Sequence, residues 1–341
     1  MNKARFILSK KVAIQQYNKL KQLGTVSFSV KTNPEIAKIL EKETDSFFSL
    51  HSVEGAVHIE NGNRIWFLCQ AINDNTLDLL FSKGVNKYVV DNETDLENII
   101  NYIERNDKRI QLLLRMKLRE NTIFTGRYFV FGMRSDTINR AVKKLKDNQH
   151  IEKLGIHFHR KGQNTSEWDL IREISQSLTE DTLKAIQLMN VGGGIPIKYK
   201  NSSDHSLEYV LNKIGQFGDW LKQYEIGMML EPGRFISGPT VKLETEIISM
   251  CGRDIIVNAS VYNSATDALT IPLKLIVEGE TETGDKFTLK GSTPCSLDIF
   301  RYDVRLNNPK IGDKIVFLNA GAYNFTTDFC SLPKIETVVV D

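Results

Sequence analysis

The stretch Val26-Ser27-Phe28-Ser29-Val30, followed directly by Lys31, is the first of eight short β-type runs in the chain. The other seven are Phe47–Leu50, Ile65–Cys69, Tyr88–Val90, Ile110–Arg115, Gly155–His159, Ile186–Val191 and Met228–Glu231. Segments of helical periodicity separate most of them, at Asn75–Ser82, Thr94–Glu104, Ser135–Lys146, Trp168–Leu178 and Leu207–Tyr224. Such alternation predicts an α/β fold, and a count of eight favours a (β/α)8 TIM barrel over an open doubly wound sheet.

The pattern changes after Pro239. The runs Val241–Ile248, Ile255–Val257, Leu273–Val277, Lys286–Lys290, Lys314–Leu318 and Ile335–Val340 are β-type, with no clear helix between them. We therefore expect a barrel over residues 12–236 and a β-rich domain made of residues 1–11 and 237–341. The segment Arg5–Leu8 is expected to add a strand to that second domain.

Bulk composition excludes several classes of partner. The net charge of +2, from 44 basic and 42 acidic side chains, gives no reason to expect nucleic acid or an anionic membrane. No apolar stretch approaches the roughly 20 residues that span a bilayer, and the start does not resemble a secretory signal. The cysteines at 69, 251, 295 and 330 form no CxxC pair, so we expect a cytoplasmic protein without structural zinc.

Polar residues cluster where the predicted barrel strands end, which is where barrel enzymes carry their chemistry. These residues are Lys31, His51, Cys69, Gln70, Asp91, Arg115, His157, His159, Gly192–Gly194 and Glu231. Lys31 follows an apolar strand, and a desolvated lysine has a lowered pKa that suits Schiff-base chemistry. It could also be a structural lysine that reaches solvent. A kinase lysine is disfavoured because no His-Arg-Asp or Asp-Phe-Gly motif follows.

Three further motifs each have two interpretations. Gly192-Gly193-Gly194 follows a strand and could present N–H groups to a phosphate, or could be a flexible turn. Glu231 and Arg234 could hold a cofactor or form a plain salt bridge. His157 and His159 share one face of a strand, as in barrel metallohydrolases, but a metal site needs more ligands from other strands.

In combination these motifs resemble the fold-type III pyridoxal-phosphate (PLP) decarboxylases, which act on ornithine, arginine, diaminopimelate and carboxynorspermidine. The motifs appear in the family's order over nearly the whole chain. They are Phe28-Ser29-Val30-Lys31-Thr32-Asn33, Gly155-Ile156-His157-Phe158-His159, Gly192-Gly193-Gly194, Glu231-Pro232-Gly233-Arg234, Gly291-Ser292-Thr293-Pro294-Cys295-Ser296-Leu297-Asp298, and Gly312-Asp313 with Gly321-Ala322-Tyr323. The resemblance implies an alanine racemase-like PLP barrel with a C-terminal β domain.

The resemblance also implies a role for each motif residue. Lys31 would carry the cofactor, His159 would stack on its ring, and Glu231 would bond the ring nitrogen, where alanine racemases have an arginine. The phosphate would lie among Gly192–Gly194, Arg234 and Tyr323, with Arg115 close to the cofactor. Cys295 would come from the partner subunit of a homodimer and would protonate the substrate carbon after carbon dioxide leaves.

Departures from the family pattern concern the substrate. Ala259 stands where ornithine-type enzymes have an aspartate for the distal amine, and Ser296 replaces the acidic residue after the cysteine, although Asp298 lies close by. An unpaired distal ammonium would be costly to desolvate, so diamine precursors fit poorly. The basic pair Arg160-Lys161 indicates either an anionic substrate or a solvated surface. His51 ends the second strand, where the family usually has an acidic residue.

We therefore predict PLP-dependent decarboxylation of an amino acid or amino-acid conjugate in a biosynthetic pathway. The short chain and altered distal pocket resemble natural-product enzymes such as the decarboxylase module of microcin C-type antibiotics. Three alternatives stay open: a decarboxylase of free ornithine-, lysine- or diaminopimelate-type amino acids, a catalytically silent regulatory homologue, and a barrel metallohydrolase. The silent homologue is disfavoured because Lys31 and Cys295 are both present.

Overall fold

The computed structural model describes residues 3–118, 131–160, 168–202, 206–271, 273–324, 327 and 331–341. Its strands in chain order are β1 Arg5–Ser9, β2 Thr25–Ser29, β3 Phe47–Leu50, β4 Ile65–Cys69, β5 Lys87–Val90, β6 Ile110–Arg115, β7 Ile151–His157, β8 Leu188–Asn190, β9 Gly227–Leu230, β10 Val241–Cys251, β11 Asp254–Val257, β12 Ile276–Val277, β13 Asp285–Lys290, β14 Ile299–Leu306, β15 Lys314–Leu318 and β16 Glu336–Val340. The helices are α1 Lys10–Lys21, α2 Pro34–Glu43, α3 Asp74–Ser82, α4 Glu93–Arg105, α5 Ser135–Leu145, α6 Leu170–Ser177, α7 Glu180–Ala185, α8 Ser206–Lys222, α9 Arg234–Thr240, α10 Val261–Ser264 and α11 Asp267–Thr270.

Strands β2 to β9 form a closed barrel in sequence order. Each strand pairs in parallel with the next, and β2 closes the ring by pairing with β9 through Thr25 with Met229 and Val26 with Leu230. The predicted barrel is therefore confirmed, and the open doubly wound sheet is excluded because an open sheet has two unpaired edges. Trp66, Val89 and Leu113 belong to a buried hydrophobic cluster contributed by several of these strands.

Short polar caps start the barrel helices directly after the strands. Asn33 accepts from the N–H groups of Glu35 and Ile36 at the start of α2, whose first residue is Pro34. Asn73 and Asn92 cap α3 and α4 in the same way. An asparagine oxygen satisfies N–H groups that have no partner within the helix, and proline suits the first helical position. These caps fix where each strand-to-helix connection turns.

The second compact unit is a mixed sheet. Its strands run in the order β12-β15-β10-β11-β13-β14, and β1 joins by pairing with β10 and with β16. The predicted N-terminal strand is thus confirmed. Strand β14 was not predicted, because Tyr302 and Asp303 are exposed in succession and Asp303 has a φ of 54°. This irregularity removes the alternation of buried and exposed side chains by which a strand is recognised.

The chain divides into a barrel unit of residues 17–196 and 205–233 and a β unit of residues 1–16, 197–204 and 234–341. The division differs from the predicted bounds mainly at residues 197–204, which follow the glycine run. Their Lys200 N–H donates to the carbonyl of Lys274 in the β unit. The short helices α9, α10 and α11 also lie in that unit, and they are too short to show a helical periodicity in the sequence. None of the described helices is long and apolar enough to cross a membrane.

Two strand glycines provide a test of the barrel packing. A Cβ at Gly155 would lie 2.2 Å from the carbonyl oxygen of Leu188, whereas the nearest atom to a Cβ at Gly227 is 3.5 Å away. We expect Gly155→Ala to lower the free energy of unfolding by about 1–3 kcal/mol through overpacking. The matched Gly227→Ala should stay within about 0.5 kcal/mol of the wild type. Urea unfolding measures both, and equal effects would contradict the barrel register.

Candidate active site

A buried carboxylate, that of Glu231, lies at the carboxyl ends of the barrel strands and is hydrogen-bonded by three side chains from other strands. Glu231 follows β9 and is 5% exposed. Its Oε1 accepts hydrogen bonds from Ser49 Oγ at 2.8 Å and Asn190 Nδ2 at 2.9 Å. Its Oε2 lies 3.0 Å from His157 Nε2. Ser49 in turn contacts Ser27 Oγ at 2.7 Å. The donors come from β3, β7 and β8, so the closed barrel itself brings them together.

This network keeps Glu231 ionised. Burial on its own raises the pKa of the carboxyl, but the positive charges that His157 and His159 carry when protonated, together with the hydrogen bonds of His157 and Ser49, lower it to about 2. His157 is fully buried, and its Nδ1 has no hydrogen-bond partner. Nε2 is therefore the ring nitrogen that donates to Glu231.

His159 packs on the glycine run of the barrel unit. Its Nδ1 accepts from the backbone N–H of Gly193 at 3.0 Å, which leaves the proton of the neutral ring on Nε2. The ring is exposed at the barrel mouth but crowded by protein on its other sides. Desolvation, supported by the charge of Arg115 and opposed by that of Glu231, lowers the pKa of His159 to about 3. The ring is therefore neutral at physiological pH.

The glycine run is shaped by close backbone contacts. A Cβ at Gly192 would lie 2.3 Å from the carbonyl oxygen of Phe158, and one at Gly193 would lie 2.7 Å from that of Glu231. Gly192 and Gly194 have φ values of +68° and +89°. Both contacts and conformation require glycine. Among the described residues, the N–H of Gly194 has no hydrogen-bond partner, so it is available to a ligand.

Lys31 lies just past β2 and is exposed at the barrel mouth. Desolvation lowers the pKa of its amine, the charge of Arg115 lowers it further, and Glu231 opposes the shift. A lowered pKa increases the neutral fraction that can attack a carbonyl. Arg115 itself is paired with Asp91, with 3.0 Å between Nη1 and the carboxylate, and its guanidinium stacks 5.1 Å from the ring centroid of Phe131.

Arg234 and Tyr323 belong to the β unit. Arg234 is 7% exposed and donates to the Asp267 carboxylate and, at 2.9 Å, to Tyr199 Oη. The Tyr323 ring centroid lies 5.2 Å from its guanidinium. The salt bridge to Asp267 was not anticipated from the sequence. It means that the Arg234 charge already has one buried partner within this unit.

Two predicted substrate residues already have partners within the protein. Asp298 is 1% exposed, and its carboxylate oxygens accept hydrogen bonds from Val261 N–H and from both the N–H and the hydroxyl of Thr293. Its carboxylate therefore links Val261 to Thr293. Arg160 is buried, with its guanidinium 2.6 Å from the Glu173 carboxylate and 5.6 Å from the Trp168 ring centroid.

The other predicted substrate residues, Ala259 and Cys295, lie in the β unit. Ala259 is buried in the β unit, and Cys295 is exposed there, with Sγ 2.8 Å from Tyr262 Oη. Lys161 lies outside the described residues, as does Cys330. Among the described residues, no group of three or more histidine, cysteine, aspartate or glutamate side chains could hold a metal ion.

A family model described as pyridoxal-dependent decarboxylase, pyridoxal binding domain, matches residues 10–238, which is more than half of the chain. The chain belongs to the pyridoxal-dependent decarboxylases. It is therefore a lyase that uses pyridoxal phosphate to decarboxylate amino acids, and the metallohydrolase alternative is wrong.

Individual relatives of this decarboxylase act on different substrates. The chain is 25% identical to diaminopimelate decarboxylase of Methanothermobacter thermautotrophicus, covering 91% of this chain and 78% of the relative. It is 23% identical to 2-[(L-alanin-3-ylcarbamoyl)methyl]-2-hydroxybutanedioate decarboxylase of Staphylococcus aureus, covering 81% and 76%. Its fold is similar to that of lysine/ornithine decarboxylase from Vibrio vulnificus, with a TM-score of 0.82, 21% identity and coverage of 99% and 94%.

The barrel unit of this decarboxylase fits pyridoxal phosphate. The cofactor needs an amine for its aldehyde, an anionic acceptor at its ring nitrogen, a flat surface for its ring and N–H donors for its phosphate. Lys31, Glu231, the ring of His159 and the N–H of Gly194 have these properties. The close contacts that exclude a Cβ from Gly192 and Gly193 keep this wall of the decarboxylase free of side chains.

Several residues around Glu231 in the decarboxylase were not predicted as site residues. The sequence motifs indicate His157 only as a possible metal ligand and indicate no role for Ser49 or Asn190. Asn190 lies two residues before Gly192, and its Oδ1 also accepts from Gly192 N–H at 2.9 Å. Their positions near the ends of predicted strands indicate a place in the site, because the parallel strands of one barrel all end at the same face.

Because the pKa of Glu231 is lowered by folding, the free energy of unfolding of the decarboxylase should depend on pH through this residue. A group whose pKa falls from 4.5 unfolded to about 2 folded adds stability above pH 4.5, and this is lost as the pH falls towards 2. We expect Glu231→Gln to lower the free energy of unfolding on the order of 3 kcal/mol at pH 6, and by much less at pH 3. Urea unfolding at both pH values measures this.

The matched control is Glu35→Gln, because Glu35 pairs only at the surface, with Lys38. Its effect should stay below about 1 kcal/mol. A Glu231→Gln effect that is the same at both pH values would contradict an ionised Glu231.

Proposed function

We propose that this decarboxylase acts on an amino acid whose distal group carries carboxylate, either a free amino acid or an amino-acid conjugate of a biosynthetic pathway, in a site built around Lys31 and Glu231. The observation that supports the site is the hydrogen-bond network of Glu231, which leaves an ionised carboxylate at the same strand-end face as Lys31.

The barrel residues have separate roles in this proposal. Lys31 would hold the cofactor aldehyde, and its lowered pKa makes the neutral amine available. Glu231 would accept a hydrogen bond from the ring nitrogen and keep a proton there, while His157, Ser49 and Asn190 keep the carboxylate oriented. His159 would pack against the cofactor ring, and Gly194 N–H would donate to the phosphate. Pyridoxal phosphate supplies the electron sink for the electron pair that remains when carbon dioxide leaves.

The family resemblance assigns further roles in this proposal. Cys295 gives its proton to the substrate carbon that has lost carbon dioxide. We propose that it acts in the site of a partner subunit, so that the enzyme is a homodimer with shared sites. The exposure of Cys295 and of Leu297, which is 63% exposed, supports this role. Arg234 and Tyr323 are assigned to the phosphate by resemblance, and Arg115 to the vicinity of the cofactor.

The substrate proposal rests on the lack of a free carboxylate side chain that could pair with a distal ammonium at these positions. Ala259 and Ser296 stand where the resemblance places acids in diamine-forming enzymes of the family, and the carboxylate of Asp298 already accepts hydrogen bonds from Val261 and Thr293. A distal ammonium that has no carboxylate beside it, as in ornithine and lysine, would therefore be desolvated without a partner at these positions. The named substrates of the two relatives above, diaminopimelate and a hydroxybutanedioate conjugate, both carry distal carboxylate.

Carbon dioxide release from a substrate panel tests this proposal. We expect kcat/KM for diaminopimelate or the hydroxybutanedioate conjugate to exceed that for ornithine and lysine by at least about tenfold, a difference of about 1.4 kcal/mol. The variant Ser296→Asp places an acid at an exposed position and should shift the preference towards the diamine precursors. Ornithine or lysine as the best substrate of the wild type would contradict the proposal.

Subunit mixing tests the shared site. Lys31→Ala should abolish turnover, and Cys295→Ala should slow it and divert part of the product to a carbonyl by-product. Random mixing of the two variants should restore about one quarter of wild-type activity, because half of the dimers then hold one intact site out of two. Activity no higher than that of Cys295→Ala alone would show that both residues act within one chain.

A further inference from the structure

Cys295 lies in an exposed loop of the β unit and contacts one phenol. Its Sγ is 2.8 Å from Tyr262 Oη, and Tyr262 is the second residue of helix α10. Tyr262 is half-buried, whereas Cys295 is exposed. The sulfur therefore has a defined hydrogen-bond partner, although the loop around it faces solvent.

One buried carboxylate ties the two partners together. Asp298 Oδ2 accepts from Thr293 N–H at 3.0 Å and Thr293 Oγ at 2.6 Å, which holds the loop two residues before Cys295. Its Oδ1 accepts from Val261 N–H at 2.8 Å, which holds the first residue of α10. Asp298 N–H also donates to the carbonyl of Cys295 at 3.0 Å. The loop and the start of the helix are thus fixed to the same side chain.

Two further features fix the position of the Cys295 loop relative to helix α10, which carries Tyr262. Ser292 N–H donates to the carbonyl of Ala259 at 2.9 Å, two residues before α10, and Ser260 and Asn263 form a capping box at the start of that helix. A Cβ at Gly291 would lie 2.0 Å from Asp298 Oδ1, so only glycine lets the carboxylate approach the loop this closely. The contact between Tyr262 and Cys295 therefore follows from the packing of the loop.

The surroundings of the thiol favour its anion. The hydrogen bond from Tyr262 lowers the pKa of Cys295, the backbone N–H of Leu297 lowers it further, and the negative charge of Asp298 opposes both. A hydroxyl that donates to a thiolate stabilises the charged form. This is the form that remains once a cysteine has given up its proton.

We propose that Tyr262 is a positioning residue that orients the Cys295 thiol and stabilises the thiolate left after proton transfer, and that Asp298 holds this pair in register. The inference rests on the proposed role of Cys295 as proton donor and adds to it. Tyr262 acts through Cys295 and does not itself exchange a proton with the substrate.

The proton transfer balances without another reactant. The S–H bond of Cys295 breaks as a C–H bond forms at the substrate carbon that has lost carbon dioxide. The electron pair of the S–H bond stays on sulfur, and the hydroxyl of Tyr262 donates a hydrogen bond to it. A proton from solvent then restores the thiol for the next turnover.

The test is the alkylation of Cys295 in the full-length holoenzyme with and without the hydroxyl of Tyr262. Iodoacetamide is applied across a pH series, and peptide mass spectrometry follows Cys295 separately from the exposed Cys251. We expect Tyr262→Phe to move the Cys295 profile to higher pH and to slow alkylation severalfold at pH 7, because thiolate is the nucleophile. Cys251 should be unaffected, and so should Cys295 in the control Tyr302→Phe, which removes a 60% exposed tyrosine hydroxyl from the same unit.

Product partition provides the second measurement. Tyr262→Phe should raise the ratio of carbonyl by-product to amine product, in the same direction as Cys295→Ala and to a smaller extent. An unchanged alkylation profile would overturn the pairing. A shifted profile with unchanged partition, while Cys295→Ala does change it, would overturn the positioning role. If Cys295→Ala leaves the partition unchanged, the assigned role of Cys295 fails while the alkylation profile still tests the pairing.

Asp298→Asn provides an independent variant. The substitution places amide N–H groups where carboxylate oxygen now accepts from Thr293, so the loop loses its register to α10. We expect the Cys295 alkylation profile to shift in the same direction as in Tyr262→Phe, with the hydroxyl of Tyr262 still present. A folded Asp298→Asn protein with the wild-type profile would overturn the clamp.

Discussion

A single buried carboxylate at the carboxyl end of a closed barrel organises the chemistry of this protein. Glu231 is nearly inaccessible to solvent, and a buried charge is costly unless hydrogen bonds satisfy it. Ser49, Asn190 and His157 provide those bonds from three different strands. Because the carboxylate accepts bonds from across the barrel, the site exists only when the whole ring of strands is closed. Fold and function thus depend on the same interaction.

The same network connects the other parts of the barrel site. Asn190 bonds both Glu231 and the first glycine of the run Gly192–Gly194, and the second glycine donates to His159. At Gly192 and Gly193 the backbone lies so close to neighbouring carbonyl oxygens that a Cβ would not fit. Lys31 stands at the same face with a lowered pKa. The fold is shared with decarboxylases of several substrates, and we propose that residues outside this network, such as Ala259 and Ser296, distinguish the substrate of this enzyme.

Regular alternation made the barrel predictable from the sequence, and the motifs indicated the family. The missed strand β14 has consecutive exposed residues and a positive φ at Asp303, which no periodicity reveals. The roles of Asp298 and Arg160 could not be read from charge alone, because a carboxylate or guanidinium is equally charged whether free or paired. Only three-dimensional contacts show that Asp298 clamps its own loop and that Arg160 pairs with Glu173. The role of Ser49 could not be predicted either, because a serine within a strand has no sequence signature that distinguishes a buried hydrogen-bond donor from any other serine.

In the proposed enzyme the amine of Lys31 carries the cofactor at the face organised by Glu231. Borohydride reduction of the purified holoenzyme, followed by peptide mass mapping, identifies the lysine that carries the cofactor, because reduction fixes the cofactor to the amine that holds it. We expect loss of the visible absorbance band and a pyridoxyl group on the peptide that contains Lys31. A pyridoxyl group on a different lysine, or a colourless protein with stoichiometric zinc and no pyridoxyl label, would contradict it.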